Sequence, residues 1–170
     1  MNVGHILTYK DFWQPPPQGF MKCNIDGASK GNLGMARYGR VIRDEKGFIK
    51  TIFHSHLGKA TNNMVELMAL EQCLEILMES NFHNTITEAD SELIINSVRK
   101  ICNGLALEKV SKHWQLLQVY QQIQSHLRTM RTLSFVHVRR TTNKLAIFLK
   151  TKEYSLPKAI KDDWMVAPQG

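Results

Sequence analysis

A chain of 170 residues, 43% of them hydrophobic, is long enough to close one ordinary core and little more. Its formal charge of +7 suits a polyanionic partner, although a mildly basic solvated surface gives the same figure. No apolar run reaches the length of a membrane span, and the N-terminus lacks a basic-then-apolar export signal, so the reading is a soluble, intracellular protein. Cys23, Cys73 and Cys102 are far apart and form no zinc-ligand pair. They read as thiols filling small core positions in a reducing compartment, nucleus or cytoplasm.

Residues 1–19 form a Pro-rich leader. Trp13-Gln-Pro-Pro-Pro-Gln-Gly19 excludes a helix or a central strand and favours an extended, polyproline-like approach, with Trp13 pinned onto the domain. Phe20 to Lys30 reads as a strand ending on Asp26, with Gly27 allowing a turn. Alternation puts Met21, Cys23 and Ile25 on one face and Lys22, Asn24 and Asp26 on the other. After a turn at Gly31-Asn-Leu-Gly34, Met35–Asp44 and Phe48–Leu57 continue an antiparallel meander through the tight turn Glu45-Lys-Gly47. His54 and His56 share a face of the third strand, with no third ligand nearby, and read as surface residues.

The period then changes. Thr61-Asn-Asn63 offers an N-cap to a helix over Met64–Ser80. Glu71, Glu75 and Glu79 form its solvent stripe, whereas Glu66 shares the apolar face of Ala69, Leu70, Cys73 and Leu77. A carboxylate on a core-facing stripe is costly unless it is paired or bound to a cation, which makes Glu66 a functional candidate. Asn84–Ala89 is a fourth strand, followed by Asp90-Ser91 and a helix to about Ile101; Asp90 could simply cap that helix. A connection at 105–111 leads to a helix from Lys112 to Met130, a fifth strand over Thr132–Val138 and a last helix from Thr141 to about Lys152. The tail, residues 153–170, reads as irregular. The expected architecture is an α/β domain over residues 20–152, with a five-stranded mixed sheet flanked by helices. Asp26 and Asp90 close strands at one rim and Glu66 lies beside them; clustered carboxylates call for a divalent cation, and oxygen-only ligands suit Mg²⁺.

Asn24-Ile-Asp-Gly-Ala28, Thr61-Asn-Asn-Met-Val-Glu-Leu-Met-Ala69 and Glu88-Ala-Asp-Ser91 together resemble, in order and spacing, the type 1 ribonuclease H family. The Trp-x-Pro-Pro-x-x-Gly leader, the stretch Gly39 to Gly47 and His137-Val-Arg-Arg-x-x-Asn143 resemble more narrowly the plant RNase H-like domains related to non-LTR retrotransposon polyproteins. The resemblance implies a ribonuclease H-like fold and hydrolysis of RNA in RNA–DNA hybrids at a two-ion Mg²⁺ or Mn²⁺ site. Asp26, Glu66 and Asp90 would be the catalytic and metal-binding carboxylates. Thr61, Asn62 and Asn63 would lie against the minor groove of the hybrid, where an amide can test for the 2′-hydroxyl. Ala28, Ser29 and Ser91 match substrate-facing positions, and Arg37, Arg40 and Lys144 are bases available to phosphates.

Three departures stand out. Ile147 occupies the position of the family's fourth carboxylate, where a hydrocarbon cannot coordinate an ion, and the two-ion site could be reduced to one. Arg140 stands where these plant domains commonly carry Glu, and His137 is only a weak substitute for the family's catalytic-loop histidine. Two outcomes therefore stay open: slow hybrid cleavage by three carboxylates, or a retroelement-derived domain that binds nucleic acid or a protein without cutting.

Overall fold

The computed structural model describes residues 13–144 and, for Asn32, the backbone only. The elements run β1 (Met21–Ser29), β2 (Gly34–Arg43), β3 (Ile49–Ala60), α1 (Asn62–Glu79), β4 (Asn84–Ala89), α2 (Glu92–Cys102), α3 (Leu107–Val110), α4 (Trp114–Leu127) and β5 (Thr132–His137). The strands form one sheet in the order β3-β2-β1-β4-β5. The β1–β2 and β2–β3 pairs are antiparallel, and β1–β4 and β4–β5 are parallel, which gives the mixed sheet expected. A short meander supplies the antiparallel half, because tight turns permit it. Each parallel pairing needs a crossover, and α1 and the α2–α4 segment provide them.

The expected last helix from Thr141 and the whole tail lie outside the described residues beyond Lys144, as does the leader before Trp13. The four-residue α3 within the 105–111 connection was not anticipated. It has no apolar period long enough to signal a helix, and none of its residues is buried.

β1 is the middle strand, and both its faces are covered. Cys23 and Ile25 enter the main core with Tyr38 and Ile42 of β2 and with Val65, Leu70, Cys73, Leu74 and Leu77 of α1. α1 packs on β1 and on α4, so it is apolar around most of its circumference. Glu71 is therefore no solvent residue. It is largely buried under α4, where its Oε1 lies 3.0 Å from Nε2 of His126, leaving Glu75 and Glu79 as the exposed acids of the expected stripe.

Two further expectations are corrected by packing. Cys23 and Cys73 are joined as a disulfide rather than standing as separate thiols, because β1 and α1 meet face to face there. Cys102 alone is free. Arg40 is not available to phosphates: it is 1% exposed, beneath α1, with its guanidinium 4.2 Å from the Phe53 ring centroid and 5.8 Å from that of Tyr38. Burial pushes its pKa down from the ordinary arginine range to about 10.

The opposite face of β1 carries a buried polar network. Lys22 Nζ lies 2.8 Å from Glu88 Oε1, and Asn24 Nδ2 donates to Glu88 Oε2 at 2.7 Å. The Lys22 ammonium also donates to the Gln14 carbonyl at 2.7 Å. Trp13 lies against the same patch, 4.3 Å from the Arg43 guanidinium and 5.5 Å from Nζ of Lys22, so cation–π contacts hold the leader to the sheet.

Candidate active site

Asp26 lies inside β1, three residues before its end, and is fully buried. Asp-Gly is not a turn here. Gly27 continues the ladder opposite Tyr38, and the chain turns only at Lys30–Asn32, which form a short 3-10 segment. The glycine matters for another reason. A Cβ at Gly27 would sit 3.1 Å from the carbonyl of Val65 and from the amide nitrogen of Glu66, tighter than ordinary contact, so the bare backbone lets α1 approach closely.

That approach brings Glu66 to the site. α1 starts at a true N-cap, where Thr61 Oγ1 accepts from the Met64 amide at 3.2 Å. Asn62 Oδ1 accepts from the Ser29 amide at 2.7 Å and ties the start of the helix to the end of β1. The half-buried Glu66 then projects over β1, while Ala69, Leu70, Cys73 and Leu77 along the same face are fully buried. The unusual stripe in the sequence is thus a core face with a carboxylate at its exposed end.

Asp90 follows β4 directly. Because Ile25 pairs with Ala89 in parallel register, Asp90 is level with Asp26. It does not cap α2; Ser91 occupies that position without a side-chain cap bond. Carboxylate oxygens of Asp26, Glu66 and Asp90 all lie within 4.8 Å of one another, the single such group of potential metal ligands among the described residues. The three acids come from a strand, a helix and a strand–helix junction far apart in sequence.

The residues after β5 brace this cluster. Nε2 of His137 contacts the backbone carbonyl of Asp90 at 3.2 Å, and the Val138 amide donates to the Ala89 carbonyl at 2.9 Å. The buried Asn143 donates through Nδ2 to the Ile25 carbonyl at 2.7 Å, one residue before Asp26. Arg140 donates from Nε to Asp90 Oδ2 at 3.0 Å. That hydrogen bond and charge hold the Arg140 pKa above its usual range, with Asp26 and Glu66 adding to the effect.

The other expected substrate-facing residues sit at the ends of the same elements. Thr61, Asn62 and Asn63 are exposed at the start of α1; Ala28, Ser29 and Ser91 are half-buried at the ends of β1 and β4. One acceptor atom each of Thr61 and Asn62 is already used internally. Arg37 is half-buried on β2 and Lys144 is exposed. His54 and His56 do share a face of β3, with ring centroids 6.4 Å apart, and belong to no ligand group. Ile147 lies outside the described residues. Sequence reasoning missed the bracing role of Asn143, although it stands in a quoted motif; a buried amide after a strand end was the available signal.

This strand order, with an acid from the central strand meeting one from the first long helix and one from the next parallel strand, defines the ribonuclease H-like class. The chain belongs to the reverse transcriptase-like family, which matches residues 24–152. A protein of Arabidopsis thaliana that carries a ribonuclease H name is 30% identical over 144 residues, covering 85% of this chain and 22% of that protein. This chain thus spans about a fifth of that relative's length. Among solved structures, the N-terminal RNase H domain of Rv2228c from Mycobacterium tuberculosis is 26% identical with a TM-score of 0.67, covering 76% of this chain and 89% of that one. LC11-RNase H1 in complex with an RNA/DNA hybrid is 29% identical with a TM-score of 0.65, covering 76% and 92%. Within the described residues no helix is long and apolar enough to cross a membrane.

Proposed function

We infer that this domain is a metal-dependent ribonuclease of the hybrid-cleaving type, slowed by an incomplete ligand set. The convergence of Asp26, Glu66 and Asp90 within 4.8 Å carries the reading. An oxygen-only, all-carboxylate donor set fits Mg²⁺ or Mn²⁺ rather than a softer ion. A divalent cation held there supplies Lewis-acid stabilisation of phosphoryl oxygens and a more acidic water.

The chain's own residues do the rest. Asp26, rigid in the central strand, fixes the site; Glu66 and Asp90 complete the carboxylate set from either side. Asn62 and Asn63 face the minor groove of a hybrid, where an amide distinguishes the 2′-hydroxyl of RNA. Arg37 and Lys144 contact phosphates and set register rather than sequence preference. The complex of the similar LC11-RNase H1 with an RNA/DNA hybrid supports this substrate class. Ile147, at the position that the resemblance gives to a fourth carboxylate, removes one ligand. Each 1.36 kcal/mol of lost transition-state stabilisation costs about tenfold in rate, so turnover is low.

The test is cleavage of an end-labelled RNA–DNA hybrid with Mg²⁺ or Mn²⁺, beside Asp26→Asn. Cutting that disappears in the variant establishes a three-carboxylate nuclease. The presence of Ile147 and of Arg140 on Asp90 favours a second reading, binding of nucleic acid without cutting. That reading predicts salt-sensitive hybrid binding by the wild type, with cleavage appearing only in Ile147→Asp.

A further inference from the structure

The turn after β5 holds Arg140 in a distinctive place. Its backbone is anchored by the Thr142 amide to the Arg139 carbonyl at 3.0 Å, the Asn143 amide to the Arg140 carbonyl at 3.1 Å and the Asn143 side chain to Ile25. Its side chain is 75% exposed, whereas that of Asp90, which it contacts at 3.0 Å, is only 9% exposed. A well-seated carboxylate is thus met by a guanidinium that stands in solvent at the mouth of the cluster and touches it through one nitrogen.

We propose that Arg140 is a resident counter-ion of the acidic cluster, one that a divalent cation must displace from Asp90, so that it sets the cation concentration at which the site fills. The inference rests on the metal-site reading of Asp26, Glu66 and Asp90. Three carboxylates this close repel one another, and a neighbouring guanidinium relieves part of that repulsion while the site lacks an ion. An incoming cation competes with the Nε–H on Oδ2 for the Asp90 carboxylate, and it also meets a like charge beside it. An exposed, single-point ion pair is weak and readily given up, so Arg140 raises the threshold for binding without blocking it. Once displaced, the side chain stays tethered beside the cluster by the Asn143 anchor.

The experiment is calorimetric titration of the full chain with Mn²⁺ alone, for the wild type, Arg140→Gln and Arg140→Lys, with thermal denaturation of each with and without Mn²⁺. Arg140→Gln is expected to bind Mn²⁺ about threefold to tenfold more tightly than the wild type. It should also have the lower melting temperature without the ion and the larger rise on adding it. Arg140→Lys, which keeps the charge, should bind like the wild type. Equal affinities for wild type and Arg140→Gln, or weaker binding by Arg140→Gln, overturn the counter-ion role and leave the metal site standing. Absence of Mn²⁺ binding by all three proteins overturns the metal-site reading and this inference with it.

Discussion

Replacing Gly27 by Ala tests how the fold assembles the site. The new Cβ would lie 3.1 Å from the Val65 carbonyl and the Glu66 nitrogen, where ordinary contact begins near 3.4 Å. The obstructing atoms are backbone, so no rotamer change relieves the clash; α1 must retreat by a few tenths of an ångström. Overpacking of this kind costs about 1–3 kcal/mol. Ala restricts the unfolded chain and recovers about 0.4–1 kcal/mol, since Gly27 sits in an ordinary strand conformation. The net loss is about 1–2 kcal/mol, which lowers the melting temperature of a domain this size by roughly 2–8 °C. The retreat moves the backbone that carries Glu66, so Mn²⁺ affinity falls by about tenfold, the scale seen when support around metal ligands is disturbed. Thermal denaturation and Mn²⁺ calorimetry on the same preparation measure both. An unchanged melting temperature with unchanged affinity would refute the claim that close approach of α1 at Gly27 sets the geometry of the carboxylates.

Other substitutions probe the remaining supports. Arg40→Met removes a buried charge whose pKa burial lowers to about 10, together with its contacts to the Phe53 and Tyr38 rings, so the stability of the variant relative to the wild type should depend on pH near 10 in denaturant titration. Because the folded state releases this proton before the unfolded state does, the burial penalty is complete below pH 10 and fades above it, so the wild type should gain stability relative to the variant as pH rises through about 10. Glu88→Leu leaves the ammonium of Lys22 buried without its carboxylate and should cost about 3–5 kcal/mol, whereas Lys22→Met combined with Glu88→Leu should recover much of the loss in the same titration. Thr61→Ala deletes the α1 cap and should cost about 1 kcal/mol in thermal denaturation.

Much of the site was legible in the chain because it depends on local pattern. The period change at Thr61 announced α1 and its cap, and alternation along Met21–Ile25 announced a strand with Asp26 on its polar side. Glu66 stood out on an apolar face without any knowledge of its partners. The meander and the helix-linked strands led to the mixed sheet because short turns permit only antiparallel neighbours and parallel ones need crossovers. Family motifs joined Asp26, Glu66 and Asp90 in one expectation.

Tertiary packing settles which side chains lose access to water and which distant groups meet. Arg40 looked like any strand arginine until α1 covered it, and Glu71 looked solvated until α4 brought His126 against it. Gly27 read as a turn because Asp-Gly is a turn signal. Its real constraint, the backbone of α1, comes from residues 38 and more positions further on. Cys23 and Cys73 carried no sign of one another at a separation of 50 residues. Arg140 could be seen to replace an acid, but its contact with Asp90 depends on a turn anchored to β1 by Asn143. Propensity and periodicity act over a few residues, so they sufficed for the main elements, their order and the acids they carry, but not for the four-residue α3. Burial, pairing and close approach belong to the tertiary structure, since they depend on surfaces supplied by other parts of the chain.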